Sequence, residues 1–532
     1  MVNALVGTRA LVRLALRRDR IMLPVWLLVF VSMAASAAAA TKDLYPTVES
    51  RVTASMAANS TPAVVALYGR VYDTTSIGGI GMLKLGGIGA AMVALLTIFI
   101  VVRHTRAEEE TGRLELVGAT VVGRYAPLTA AFIVAFVANL ALGVLTALGL
   151  TAAGLPADGS FAFGFAWAGV GVAFAAIAAV IAQLTTSARA AIGLSSAVLA
   201  VVYAIRAVGD TSGPDGTRWL TWLSPIGWGQ QFRPYAGNRW WVLLITIGFA
   251  LVVGAVAYWL TARRDMGAGL LADRPGRATA SGWLRSPLAL AWRLQRNALI
   301  GWTVGAAFGG LVLGSIANSV GKFLDTPQAR AMITSLGGEK ALSDAFVAAE
   351  LSIFGVIVSA YGIAAANRLR TEESELRAEP VLATAVTRTR WVLSHLSVAL
   401  VGTAILLFAV GLTAGLAHAA QTADAGQIGR VLGAAMVPLP ATWLLTGIVL
   451  AGFGFAPRLV MLGWAALVTF LLLGEFGPML KLDQKIMDVS PYAHLPKLPG
   501  GDLTWTPLAW LTGIALALVV AGLYGFRRRD LT

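Results

Sequence analysis

The stretch RHTRAEEETGRLELVGATVVGR, residues 103–124, lies between two long apolar runs, and nearly the same string returns at 368–390 as RLRTEESELRAEPVLATAVTRTR. At an offset of 264 residues, Arg106, Glu108, Glu109, Arg113, Glu115, Val117, Ala119, Thr120, Val122 and Arg124 meet identical residues, Arg370, Glu372, Glu373, Arg377, Glu379, Val381, Ala383, Thr384, Val386 and Arg388. A polar string repeated with its acid–base spacing intact predicts a chain built twice, and an internal repeat decides the fold before any local signal does.

Working outward, 57% of the 532 residues are hydrophobic and only 13% are charged, values foreign to soluble domains. The apolar residues fall in runs of about 20, the length that crosses the hydrocarbon of a bilayer as a helix. These runs lie near 21–40, 82–103, 127–150, 161–184, 189–207 and 241–262, then near 299–319, 349–367, 391–416, 431–453, 459–477 and 506–526. They do not alternate apolar with polar, which excludes an outer-membrane barrel. The expected fold is an all-α polytopic membrane protein of about twelve transmembrane helices in two six-helix halves.

An even number of helices separates the copies, so the halves share one orientation and the repeat is parallel rather than inverted. The entry segments echo at an offset of 276, where Arg17, Arg20 and Trp26 meet Arg293, Arg296 and Trp302. The outer loops echo as WLSPIGWGQQF (222–232) and VSPYAHLPKL (489–498). The domains expected are residues 1–262, a linker at 263–286, and residues 287–532.

With a cytoplasmic N-terminus, the formal excess of +14 falls on the cytoplasmic segments and the outer loops balance to neutrality, as the positive-inside bias expects. Both termini are then cytoplasmic, with 41–81 and 208–240 outside. The basic balance reports membrane topology and anionic lipid, and no basic-aromatic pattern of a nucleic-acid module accompanies it. Arg9, Arg13, Arg17 and Arg20 recur at helical spacing opposite Leu11 and Val12, predicting an amphipathic elbow helix on the membrane surface rather than a cleaved leader.

Cysteine is absent, and the four histidines have no ligand spacing, so no metal site is expected. GGIGMLKLGGIG and SLGGEK are glycine-rich but do not form a phosphate loop, so the chain is not expected to hydrolyse ATP itself. Ionisable residues within the spans are few. Lys84, Arg206, Glu350 and Glu475 fall near outer ends, where a snorkelling or loop role is expected.

The repeated segment then needs a purpose. Glu109 precedes Arg113 by four residues and Glu373 precedes Arg377 likewise, which predicts i,i+4 pairs on a helix. Glu108 and Glu115 are seven apart and share a face, as do Glu372 and Glu379. Two like-oriented acidic knobs on the cytoplasmic side suit docking onto two identical soluble subunits. Removing these glutamates is expected to uncouple such a partner without unfolding the membrane domain.

The string RAEEETGRLELVGATVVGR resembles the coupling segment of ABC-2 type exporter permeases. The two-half arrangement resembles the actinobacterial permeases for polyketide and ionophore antibiotics, the tetronasin-resistance type. The second copy departs from the pattern, with Leu376 where Gly112 stands and Pro380 where Leu116 stands. The resemblance implies a permease subunit that exports hydrophobic drugs or antibiotics across the cell membrane. Two copies of a separate ABC ATPase subunit would carry ATP and Mg, this chain binding no cofactor itself. It assigns ATPase coupling to Glu108, Glu109, Arg113, Glu115, Glu372, Glu373, Arg377 and Glu379. It implies an outer gate at the loop before the last span of each half, at Trp219, Trp222, Ser224, Pro225, Trp228, Ser490 and Pro491, where the tryptophans also suit an interfacial anchor. The alternatives are an ion-gradient-driven secondary transporter, which wants ionisable groups inside the membrane, and a membrane enzyme, which wants convergent acid–base residues at one interface.

Overall fold

The structure, a computed structural model, describes residues 2–114, 121–212, 218–265, 267–270, 278–317, 339–476 and 483–530. Every regular element among them is a helix. The chain divides into two compact units, Met1–Gly276 and Arg277–Thr532.

The first unit opens with the elbow helix Thr8–Arg18. Six long apolar helices follow: Met22–Leu44 (span 1), Leu85–Glu110 (span 2), Ala126–Ala152 (span 3), Ala157–Leu184 (span 4), Ala188–Thr211 (span 5) and Val242–Arg263 (span 6). The second unit holds Pro287–Ala317 (span 7), Ser343–Ser374 (span 8), Arg388–Thr422 (span 9), Gly426–Phe455 (span 10) and Trp505–Arg528 (span 12). Among the described residues these eleven are long and apolar enough to cross a membrane. The run expected at 459–477 forms the shorter helix Met461–Phe476 (span 11). Its 16 residues cover about 24 Å at 1.5 Å per residue, and residues 477–482 lie outside the described set.

Small residues let the spans approach closely, the usual device where lipid removes the hydrophobic drive for helix association. In the first unit a Cβ on Gly164 would sit 2.1 Å from the Gly143 carbonyl oxygen, fixing spans 3 and 4 backbone to backbone. In the second, a Cβ on Gly454 would meet the Gly522 oxygen at 2.1 Å and hold spans 10 and 12 apart. Buried Asn139 of span 3 donates to Thr97 Oγ1 of span 2 at 3.0 Å, a polar tie inside an apolar interface. Aromatic rings fill the remaining space. Phe30, Phe163 and Trp167 cluster in the first unit, and Trp391, Phe453 and Phe526 stack in the second.

The elbow follows its sequence. Arg9, Arg13, Arg17 and Arg20 are exposed while Leu11 and Val12 are half-buried. The helix stops at Asp19, so Arg20 lies just beyond it. The second unit has no such break: Arg293, Arg296 and Trp302 lie within one 31-residue helix.

Candidate functional site

Span 2 ends, beyond Thr105, in the short helical turn Arg106–Glu110. Adjacent residues of a helix point about 100° apart, and the three consecutive glutamates use that spread to reach three elements. Glu108 pairs with Arg18 at the end of the elbow and lies 3.8 Å from Arg113. Glu109 accepts both terminal nitrogens of Arg264, which follows span 6, with Nη1 at 2.8 Å. Glu110 Oε2 accepts from the backbone nitrogen of Ala188 at 2.9 Å, a carboxylate at the positive end of span 5.

Around Glu109 the side chains are shielded from solvent, those of Glu109 and Arg264 being 7% exposed. Arg106, 1% exposed, donates to Glu109 at 2.8 Å and to the Ala182 carbonyl at 2.6 and 3.0 Å. Arg264 Nε donates to Gln183 Oε1 at 2.6 Å. Arg124 caps the end of span 6, donating to the carbonyls of Thr261 at 3.0 Å and Arg264 at 2.9 Å, groups a helix C-terminus otherwise leaves orphaned. At the end of the elbow, fully buried Asp19 lies 3.0 Å from Arg103 Nε and 2.5 Å from His104 Nε2. Burial lowers the pKa of the Arg18 guanidinium, and neighbouring Arg103 and Arg113 push the same way.

The second string makes the matching bonds inside its own unit. Glu373 accepts both terminal nitrogens of Arg529, which follows span 12, at 2.6 and 2.5 Å. Arg529 also lies over Phe453 and Phe526 at 4.9 and 5.2 Å. Arg388, the counterpart of Arg124, donates to the Arg529 carbonyl at 2.7 Å. Glu372 pairs with Arg368 at 2.7 Å and with Arg377 at 3.0 Å, and its hydrogen bond to Arg377 raises the pKa of the Arg377 guanidinium. Arg377 also pairs with Glu375. Ser374 stands where Glu110 stands in the first copy.

These contacts correct the sequence reading. The expected Glu109–Arg113 and Glu373–Arg377 pairs are not those formed: Glu109 and Glu373 turn inward to Arg264 and Arg529, and Arg113 and Arg377 face Glu108 and Glu372 instead. The inward pairs win because each is bidentate and shielded from water. Residues Glu372 and Glu373 are 5% exposed, so they are bracing groups rather than free knobs. Glu379 is exposed at the start of the short helix Ala378–Leu382. Glu115 lies outside the described residues. The missing glycine of the second copy costs it no turn: Leu376, at φ 56°, takes the left-handed conformation that Gly112 takes at φ 70°.

Sequence reasoning missed Arg264 and Arg529. The signal was present as the tripeptide Arg-Arg-Asp directly after the last span of each half, at 263–265 and 528–530. Residues 263–270, expected as linker, belong to the first unit's network through Arg264 and through Leu270, whose backbone nitrogen donates to the Gln183 carbonyl at 3.2 Å.

The outer loops carry the other expected site. Ser224 and Pro225 open the helix Pro225–Gln231, and Ser490 and Pro491 open the 3-10 turn Pro491–His494. Trp228 is buried against Phe249 and donates Nε1 to the Trp222 carbonyl at 2.6 Å. Trp222 stacks on Trp241, and Trp219 is exposed. The hydroxyls of Ser224 and Ser490 are buried without a partner. Arg206 departs from expectation. It does not snorkel but is wholly buried, paired with Asp210 at 3.2 Å and donating to the Ala66 carbonyl at 2.7 Å.

Known proteins match this chain along its length. The C-terminal domain of the multidrug efflux system permease Rv1217c matches residues 284–527. The multidrug efflux system permease protein Rv1217c of Mycobacterium tuberculosis is 45% identical over 531 residues, covering 99% of this chain and 96% of its own length. Two all-helical units, polar segments braced beneath their spans and this end-to-end identity agree: the chain belongs to the family of multidrug efflux system permeases typified by Rv1217c.

Proposed function

We propose that the chain is the membrane-spanning subunit of an ATP-driven ABC exporter that moves hydrophobic drugs out of the cell, seated in the cell membrane with both termini cytoplasmic. Polyketide and ionophore antibiotics of the tetronasin-resistance type are the cargo its sequence resemblance implies. Two copies of a separate ATPase would dock on the two polar segments and carry ATP and Mg. One observation carries this reading: in each unit the polar segment is locked bidentately to the residue after the last span, while its tip stays in water. Arg113 and Arg377 have side chains 58% and 43% exposed, and Glu379 is exposed beside the latter. A tip that is free to bind and a root fixed to several helices is what transmits a partner's closure to the spans. The partner needs only to bind one permease state more tightly.

The test uses tip residues, whose loss leaves the braces intact. Arg113→Ala, and separately Glu379→Ala, should each reduce co-purification of the ATPase and drug-stimulated ATP hydrolysis at normal expression. Unchanged hydrolysis and export in both variants would remove the docking role. The buried Arg206–Asp210 pair of span 5 supports a second reading, an ion-gradient-driven transporter. Export that stops when the proton gradient is collapsed at constant ATP would favour it.

A further inference from the structure

Where span 9 begins and span 12 ends, the second unit carries an open hollow of about 620 Å³, lined by Thr387, Arg388, Thr389, Arg390, Leu393 and Arg527. Its three cations have no carboxylate partner among the described residues, the nearby Glu373 being taken by Arg529. Arg388 is spent on the end of span 12, donating to the Arg529 carbonyl at 2.7 Å. Arg527 Nε donates to Thr389 Oγ1 at 2.8 Å, which leaves its terminal nitrogens without a partner among the described residues. Arg390 is exposed, and its guanidinium has no such partner either. The first unit closes the same place. At the offset of 264, Tyr125, Ala126 and Tyr258 stand for Thr389, Arg390 and Gly522. Ala126 is buried, Tyr125 packs edge-on against Tyr258 at 5.7 Å, and Arg263, the counterpart of Arg527, folds over Trp259 at 3.9 Å. The fold therefore does not require a hollow here.

The two helix faces narrow the occupant. Span 9 exposes Leu393, Val401 and Phe408 along one side, and span 12 exposes Leu516, Val520 and Tyr524. At 100° per residue, Arg390 lies about 20° around the axis from Val401, and Arg527 about 20° from Val520. Each arginine thus ends an exposed apolar stripe. A ligand that sets an anion on both arginines lays any apolar chain along those stripes, into the hydrocarbon. A free anion would use the charges and leave the stripes without a role. A basic excess at span ends sets topology, but topology needs neither a hollow nor unpaired cations converging from two helices.

We propose that this hollow holds the phosphate of an anionic phospholipid between Arg390 and Arg527, with the acyl chains along spans 9 and 12. The site goes beyond the efflux reading and rests only on the chain's seat in a membrane. In the test, the purified full chain in detergent is titrated with phosphatidylglycerol or with phosphatidylcholine of the same acyl chains, and bound lipid is counted by native mass spectrometry. The wild type should take one phosphatidylglycerol more tightly than any phosphatidylcholine. One basic residue near an anionic lipid surface is worth about fivefold in affinity. Arg390→Gln with Arg527→Gln should therefore weaken that step about 25-fold at an unchanged melting temperature, and Arg390→Lys with Arg527→Lys should keep most of it. Arg263→Gln with Arg285→Gln removes equal charge elsewhere and should leave the step unaltered. Equal affinity for the two lipids, wild-type affinity in the glutamine pair, or equal weakening in the control pair would each overturn the site. Displacement of the lipid by millimolar inorganic phosphate would make the ligand a free phosphate and sink the lipid. A glutamine pair that keeps the lipid but loses a co-purifying ATPase would make this a protein-docking surface instead. Lipid is counted without transport, so failure here leaves the efflux reading standing, and a failure of export leaves the count unchanged.

Discussion

Glu109 and Glu373 are each held by an arginine far along the chain, at separations of 155 and 156 residues. A buried carboxylate stripped of its partner leaves an uncompensated charge, which costs about 3–5 kcal/mol. Arg529→Gln should therefore lower the melting temperature of the solubilised chain markedly, and Arg264→Gln less, because Arg106 still pairs with Glu109 at 2.8 Å; Glu373→Arg combined with Arg529→Glu should recover part of the loss. No change in melting for either single variant would show that the pairs do not brace the fold. The turn beside them gives a smaller and opposite effect. Leu376 is 59% exposed and left-handed, a conformation that costs a non-glycine residue about 1–2 kcal/mol. Leu376→Gly should stabilise the second unit by about 1 kcal/mol, and Gly112→Ala should destabilise the first by a similar amount, because a Cβ there meets no atom within 4 Å to compensate it. At this scale the acidic triplet and its recurrence were legible in the sequence, but the partners were not. Local spacing offered Arg113 and Arg377, whereas the pairs that form depend on which helix ends meet in space.

The ends of the last spans show how elements are held. Span 6 and span 12 finish under arginines that start the chain's return into the third helix of the same unit, Arg124 and Arg388. Capping of exposed carbonyls by a cation contributes about 1–2 kcal/mol. Arg124→Ala and Arg388→Ala should accelerate amide exchange in the final turn of spans 6 and 12 while leaving their midpoints protected. Equal protection at both ends would show the caps to be inert. Helix existence was readable throughout from apolar run length, since the bilayer sets that length. One departure was not: the elbow separates from span 1 at Asp19, but its counterpart does not separate from span 7. Asp19 pairs with Arg103 and His104, while Gln295, its match at the entry-segment offset, lies 3.3 Å from His395 within an unbroken helix. A carboxylate with two basic neighbours stabilises the break, and those neighbours lie beyond any local window.

For the molecule as a whole, the asymmetry of charge predicts which face meets the cytoplasm. Glu49→Cys, in the helix Val48–Ser60, should react with an impermeant thiol reagent in intact cells. Gly282→Cys, ahead of span 7, should react only after the membrane is opened. The chain has no cysteine of its own to confuse the result, and labelling of Gly282→Cys from outside would reverse the topology. The chain divides into two compact units between Gly276 and Arg277, within the segment whose composition suggested a linker. The pairing of Glu109 with Arg264 and of Glu373 with Arg529 also imposes an order on birth. A ribosome delivers each glutamate early and its arginine only after four more spans have emerged, so every nascent unit passes through a period in which a carboxylate destined for burial has no counterion. Until then the polar segment is free to stay in water. The arrival of the last helix end supplies that counterion, so the bond that closes each unit is also the last to become available along the chain.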